Sequence, residues 1–483
     1  MNWEIIIVGG GLGGLTAGAK LAKEGKKVLL VEQHDRPGGC ATSFKRKGFT
    51  MEVGLHEMDG LHGRDLKVKM FRDLGIFDRV EFLEVPEFYR FRNSRRDIVI
   101  QHDPEKAQGV LISNFPDEKD GIKAYFHQLL NARKIIAGET GKPERTVGEF
   151  LDSITGDEDL KLVLLANLGY FSDDPYNISL NYYSVAQGSY YGGRANYIKG
   201  GSQILSNALA SIIEDNGGTV MLNTLATKVI TDKGKAVGVE LTNRKNKGSE
   251  HQEEYAGKII VNSALPVLAG ELLDRKTGEM IRKELSKEEI GPSLLTVYFG
   301  FNKPLKDIGS GNYSIFIYDD SVKRLSDIFR NNHSDYRTRS FTFVDYSQID
   351  SGLAPEGKSV GAVCCIDYAV DWEALTREEY NERKKRVSEI FKERLEKLIP
   401  GFNDAVEYCA VATSLTIRRY TLNPQGSVYG FAQKTGRTTD YLNTLPENLH
   451  IASAWGRFGG GFSGAIIGGY MAAFDILRNR EET

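Results

Sequence analysis

Residues 4–14, Glu4-Ile5-Ile6-Ile7-Val8-Gly9-Gly10-Gly11-Leu12-Gly13-Gly14, set an apolar run of strand length directly against a glycine turn. An apolar-periodic stretch from Leu15 to about Lys23 follows, Gly25 closes it, and a second apolar run, Val28–Val31, ends on Glu32. Strand, turn, helix, strand and acid in that order predict a βαβ dinucleotide-binding unit. Gly9 serves the tight turn, Gly11 the close approach of a pyrophosphate, and Gly14, with Gly18, the packing of the helix on the sheet. The pyrophosphate is expected on the helix N-terminus, where unpaired N–H groups and the helix dipole favour negative charge. Leu12, Gly13 and Gln33 complete the expected lining. Glu32, 18 residues past Gly14, is placed to accept a ribose hydroxyl, and its charge speaks against a 2′-phosphate and so against NADP.

Length and composition bound the rest. A chain of 483 residues holds two or three domain-sized cores. Its 52 glycines exceed the average of about 7% and cluster in loops suited to close backbone approach to a ligand. A net charge of −3 gives no reason to expect nucleic acid. Cys40, Cys364, Cys365 and Cys409 show no C-x-x-C spacing, so neither a metal site nor a disulfide framework is expected. No run of 18 apolar residues occurs and the start lacks a basic leader, so the expected location is cytoplasmic, peripheral at most on the inner face of a membrane.

Asp35-Arg36-Pro37-Gly38-Gly39 follows Glu32. The glycine pair is expected to fold tightly beneath a cofactor, with Arg36 reaching its phosphates. Further on, Gly54-Leu55-His56 follows the apolar run Phe49–Val53. Helical patterns are predicted at 121–137, 146–154 and 158–168, the second opened by the capping box Thr146-Val147-Gly148-Glu149. Ser202 reads as the N-cap of a later helix, and an amphipathic helix is expected at about 377–398. Near the C-terminus, Asn448–Ala454 reads as a buried strand running into Trp455-Gly456-Arg457-Phe458-Gly459-Gly460-Gly461-Phe462-Ser463-Gly464 and then a helix from about Ala465. Gly459, Gly461 and Gly464 also fit G-x-G-x-x-G, yet only 19 residues remain, too few for a second nucleotide unit. A helix N-terminus aimed at a bound ring is the better reading.

The pattern E-x(3)-R-x-G-G resembles that of FAD-containing amine oxidases and carotenoid desaturases. Taken end to end, the chain resembles the phytoene desaturase, carotenoid isomerase and retinol saturase family. The residues that carry the likeness are the fingerprint, Arg36–Gly39, Gly54–His56, Tyr197–Ser202, Asn423–Gly430 and Gly459–Ala465. The resemblance implies an α/β fold: a Rossmann-like FAD-binding domain with an interleaved α+β substrate domain of mixed sheet plus helices. It implies FAD-binding segments 1–64, 196–284 and 426–483, and substrate segments 65–195 and 285–425. It implies one non-covalent FAD held by Gly9, Gly11, Leu12, Gly13, Gly14, Glu32, Gln33, Arg36, Gly38 and Gly39. Val229 would meet the adenine, and Gly460, Gly461, Phe462, Ser463 and Gly464 the flavin.

The expected activity is desaturation, isomerisation or reduction of carbon–carbon bonds in a polyene or isoprenoid lipid, by hydride transfer at flavin N5. His56 is the expected catalytic residue, as a proton shuttle, against the alternative of a histidine that holds its loop. A flavin amine oxidase and a non-enzymatic prenyl-binding relative are the rival readings. Arg418 and Arg419, expected beside the substrate channel, suit a substrate with a polar end. The other partners expected are an electron donor or acceptor of unknown identity and a reversible membrane contact through Phe88-Tyr89-Arg90-Phe91-Arg92 with Arg95 and Arg96.

Overall fold

The strand Trp3–Val8, buried along its last four residues, lies between two parallel partners, Val28–Val31 and Gln252–Val261. Apolar side chains on both faces require cover on both faces, which is why the sheet is buried. Thr219–Met221 extends it past Val28–Val31, and Leu449–Ile451 pairs with the last residues of Gln252–Val261. The first half of that long strand pairs antiparallel with Lys235–Asn243, itself the partner of Thr224–Asp232. The computed structural model describes residues 3–478 except 64, 140, 142 and 246–250.

The helix Leu12–Lys23 is buried from Leu12 to Ala22, flanked by the helices Ser202–Asp215 and Gly461–Arg478. The two ends of the chain therefore meet. They cross so closely that a Cβ on Gly469 would stand 2.0 Å from the Gly13 carbonyl oxygen.

A second seven-stranded sheet draws on other segments, in the order Val406–Ala412, Ser293–Phe301, Ser359–Asp367, Phe341–Asp345, Ser314–Ile317, Tyr89–Arg92 and Asp97–Ile100. The amphipathic helix Arg377–Leu398 covers one face, packing Val387, Ile390, Phe391 and Leu395 against Leu295, Val297 and Phe299. Alternation along the strands then sends Thr296 and Cys364 to the opposite face, where a cavity lies.

Several expectations change. The helix expected at 121–137 breaks at Asn131 into Lys119–Leu130 and Ala132–Gly138, and the Asn131 side chain donates to the His127 carbonyl at the break (3.1 Å). The last strand is only Leu449–Ile451, and the last helix begins at Gly461, inside the glycine loop. Ser202 is the first helical residue, not the N-cap: Gly201 holds that position at φ +91° without a side chain to cap with. The cap comes from elsewhere, because Glu52 accepts both the Ser202 N–H and its hydroxyl at 2.7 Å.

The basic-aromatic run at 88–96 does not present its rings to a membrane. Phe88, Tyr89 and Phe91 are at most 1% exposed; strand alternation turns Tyr89 and Phe91 into the core, and Phe88 is buried just before the strand. Its arginines are paired, Arg90 and Arg92 with Asp97, Arg95 and Arg96 with Asp159.

Candidate active site

Two cavities share a wall. The first, of about 460 Å³, opens at the C-terminal ends of the parallel strands, where open α/β sheets bind ligands. Gly9, Gly11, Leu12, Gly13, Glu32, Gln33, Gly38, Gly39, Gly461 and Phe462 line it. Gly11 caps the helix Leu12–Lys23 without a side chain, so the first N–H groups of that helix stay free for an anion. The cradle is tightest at Gly13. A Cβ on Gly13 would stand 1.9 Å from the Ala452 carbonyl oxygen. Glu32 accepts from the Gly10 N–H at 2.7 Å and the His34 N–H at 2.9 Å, which fixes its carboxylate at the end of Val28–Val31.

Other expected residues lie elsewhere. Gly14 is inside the helix, where a Cβ would meet the Gly9 carbonyl oxygen at 2.2 Å. Arg36 is off this wall, its guanidinium on Asp35 at 3.1 Å. Val229 is 1% exposed in the core of the nucleotide sheet; Ala226, three residues earlier on the same strand, lines the cavity instead. Gly460, Ser463 and Gly464 line the second cavity, while Gly461 and Phe462 line both. Asn262, Tyr420 and Trp455 line the first cavity without having been singled out in the sequence. Asn262 donates to the Gly9 carbonyl at 3.2 Å; its position just past a parallel strand was the available signal.

The second cavity, of about 420 Å³, meets the first at Val53, Gly54, Leu294, Thr296, Tyr429, Gly461 and Phe462. Tyr170, Phe171, Tyr182 and Tyr190 supply much of its apolar wall, the last two from the helix Leu180–Gly193. The wall nearest the shared boundary is clamped. Carbonyls of Val53, Leu55 and His56 accept from the hydroxyls of Tyr298 (3.3 Å), Tyr346 (2.8 Å) and Tyr313. Amides of Gly54 and Leu55 donate to Glu52 at 3.1 Å. His56 lines this cavity with its ring edge against Tyr170, and burial pushes its imidazole down to about 4, leaving it neutral at pH 7.

A buried ionic cluster sits beside it. Lys67, 3% exposed in its side chain, contacts Asp59 at 3.0 Å and Asp65 at 3.2 Å; Ser189 donates to Asp65, and Ser463 to Asp59. Burial alone would raise Asp59, but the Lys67 charge and the serine hydroxyls hold its carboxyl below the usual range. Ser463 ties this cluster to the first turn of Gly461–Arg478. Arg418 and Arg419 line neither cavity; Arg418 pairs with Glu373 on the outer side of the helix Ser414–Thr421.

The residues present fit a flavin dinucleotide. A glycine cradle and free helix N–H groups suit the pyrophosphate, Glu32 a ribose, and the N-terminus of Gly461–Arg478 the ring system at the shared wall. Bound there, a flavin supplies two-electron hydride chemistry, and the helix N-terminus favours negative charge on its reduced ring.

Comparison with known proteins agrees. The all-trans-retinol 13,14-reductase of Danio rerio is 25% identical, over 98% of this chain and 86% of that protein. Prolycopene isomerase 2 of an Oncidium hybrid is 27% identical, over 89% of this chain and 75% of that protein. Cyclohexylamine oxidase from Brevibacterium oxydans shares the fold, with a TM-score of 0.65 at 16% identity over the whole of both chains. The sequence profile of the flavin-containing amine oxidoreductases matches residues 12–477, so the chain belongs to that family and is an FAD-dependent oxidoreductase.

Proposed function

We propose that this enzyme acts on a carbon–carbon double bond of a polyene or isoprenoid-type lipid, by reduction, desaturation or isomerisation, with FAD held non-covalently. The observation that carries the reading is the second cavity, walled by tyrosine and phenylalanine and joined to the flavin site through Gly54, Thr296 and Tyr429. Its size falls within the range of about 300–1,000 Å³ typical of small-molecule sites. The relatives' names support the substrate class, since they specify a retinoid reduction and a carotene isomerisation. Cys40, on the first cavity, has its thiol pushed by burial up to about 11, which makes it a weak nucleophile toward the ring.

Electrostatics disfavour the amine reading. The charged side chains lining the second cavity are Asp59 and Asp65 against Lys67, Arg133 and Arg457, the Glu57 carboxyl being pushed up by burial, and an ammonium substrate gains little from that balance. A lipid of this kind arrives from a bilayer or a carrier. The expected place of contact is the cavity's own rim, where exposed Val185 and Phe458 stand beside exposed Arg133 and Arg457. Among the described residues no helix is long and apolar enough to cross a membrane, so the contact is expected to be peripheral.

The test is anaerobic incubation of the flavin-loaded protein, oxidised or reduced, with retinoids and carotenoids, followed by chromatography and mass spectrometry. The expected product differs from the substrate by two hydrogens or is its geometric isomer. Hydrogen peroxide from small amines, with every polyene untouched, would reverse the assignment.

A further inference from the structure

The wall of the second cavity includes a carboxyl that the reading above leaves without a task. Glu57 is 7% exposed, and neither carboxyl oxygen has a hydrogen-bond partner among the described residues. The hydroxyl of Tyr170, on the same cavity, is likewise buried without a partner. Two orphaned polar side chains on one wall mark a surface that something else must satisfy, because buried polar groups are hydrogen-bonded in folded proteins.

The surroundings bias Glu57 toward its neutral form. Facing it are Asp59 on its own segment, Glu87, and the phenols of Tyr170, Tyr190, Tyr313 and Tyr346. Glu87 is occupied by the Tyr313 N–H at 2.6 Å, and Lys67 is engaged by Asp59 and Asp65. Burial first, then the charges of Glu87 and Asp59, pushes the Glu57 carboxyl well above the usual carboxylate range. Two residues away, Asp59 is held ionised by Lys67. Neighbouring carboxyls driven in opposite directions are a recurring arrangement of acid–base sites. His56 adds no acid, since burial keeps its ring neutral.

We propose that Glu57, the unpartnered carboxyl on this wall, is the residue that exchanges a proton with a substrate carbon in this cavity, a catalytic role that rests on the double-bond reading. In the reducing direction the Glu57 O–H bond breaks and its proton forms a C–H bond with the π pair of the alkene. The neighbouring carbon receives its hydride from reduced flavin, so the alkene gains two electrons and the flavin loses two. The carboxylate then recovers a proton from water. In desaturation Glu57 would begin as the carboxylate and take the proton, the hydride going to the oxidised flavin that the first cavity would hold. In isomerisation Glu57 gives a proton to the polyene and takes one back, with no net redox change.

The experiment uses the flavin-loaded full chain. At neutral pH and without substrate, the infrared spectrum of the wild type should contain a protonated-carboxyl C=O stretch that Glu57→Gln lacks. Glu57→Gln should keep its flavin and its ligand-induced flavin spectral shift, while turnover of a reducible polyene falls by about 10²–10⁴-fold. Glu57→Asp should recover part of that loss. In the reducing direction the wild-type rate should be level at low pH and decline as pH rises through the Glu57 titration, a limb absent from Glu57→Gln. Absence of the infrared band, or equal turnover in Glu57→Gln, overturns the assignment. So does loss of flavin and fold in both variants, which would make Glu57 structural. A wild type inactive on every polyene sinks the double-bond reading and takes this role with it. A wild type active alongside an equally active Glu57→Gln sinks only the role of Glu57.

Discussion

The two cavities stand side by side and are built by opposite means. The first cavity is made largely of backbone: a glycine turn, the uncapped start of Leu12–Lys23, the first turn of Gly461–Arg478, and the ends of strands. The second cavity, proposed above for the substrate, is made largely of side chains that come from helices, strands and loops between Val53 and Ile467. A backbone surface tolerates no added atom but cares little for side-chain identity. A side-chain surface tolerates change atom by atom, and its chemistry lies in the side chains alone. The first difference predicts where a methyl group does the most damage.

Gly13→Ala should have the largest effect. Its Cβ would stand 1.9 Å from the Ala452 carbonyl oxygen and 2.6 Å from Asn262 Oδ1, and neither the strand end nor the helix can retreat without opening the sheet. Overpacking of this kind costs about 1–3 kcal/mol or more, and here backbone meets backbone. The expected outcome is colourless or insoluble protein, read from flavin absorbance per chain and thermal unfolding. A yellow, fully loaded Gly13→Ala would show that the cradle is looser than a backbone surface should be.

That contrast also explains what was legible in the chain. The fingerprint could be read because a turn, a helix start and a strand end are consecutive in sequence, and each leaves its mark locally. The capping box at Thr146 and the helix Arg377–Leu398 were legible for the same reason, and both form. Ser202 was misread because its helix is capped from 150 residues away by Glu52. Val229 was placed by position along a strand, and its side chain is buried in the sheet core, while Ala226, before a β-bulge in the same strand, reaches the cavity wall. The tyrosines that clamp Val53–His56 lie at 298, 313 and 346, and no local pattern announces them. The run at 88–96 showed its charges in sequence but not that Asp97 and Asp159 neutralise them.

Glu52→Gln tests the seam between the two regions and should rank second. Glu52 is 4% exposed and accepts from Gly54, Leu55 and Ser202, so it ties the wall shared by both cavities to the helix Ser202–Asp215. An amide has one acceptor oxygen, and its NH2 group would face the Ser202 N–H. Breaking a buried hydrogen bond to a charged acceptor costs about 1.5–3 kcal/mol. Chemical denaturation should show that loss, with flavin retained less tightly. Unchanged stability would mean that the seam is held elsewhere.

His56→Phe should do less. The imidazole is neutral below and above pH 7 down to about 4, and it is the His56 backbone carbonyl, not the ring, that Tyr313 holds. Phenylalanine keeps the edge-on contact with Tyr170. The expected variant is loaded with flavin, as stable as the wild type, and unchanged in its pH profile between about 5 and 8, because a group titrating near 4 contributes no limb there. A fall in turnover of about 10²–10⁴-fold with flavin retained would instead make His56 the proton shuttle.

The smallest effects should come from surface arginines, and they separate the two regions by a different measure. Arg95 and Arg96 share Asp159 with side chains one-third exposed, and such pairs contribute about 0.2–1 kcal/mol each. Replacing both with alanine should move stability within that range and leave vesicle binding alone, because the neighbouring aromatics are buried and have nothing to insert. Arg133 and Arg457 differ: both are exposed at the rim of the substrate cavity, near Val185 and Phe458, and no ion-pair partner engages either among the described residues. A basic residue near an anionic surface contributes about 1 kcal/mol, so alanine at both should weaken flotation with anionic vesicles by roughly tenfold or more, most visibly at low salt, where screening is least. Stability should stay at the wild-type level. Equal loss of flotation from the Arg95 and Arg96 pair would move the contact to the wrong end of the second sheet, and no flotation in the wild type would leave a soluble carrier to deliver the lipid.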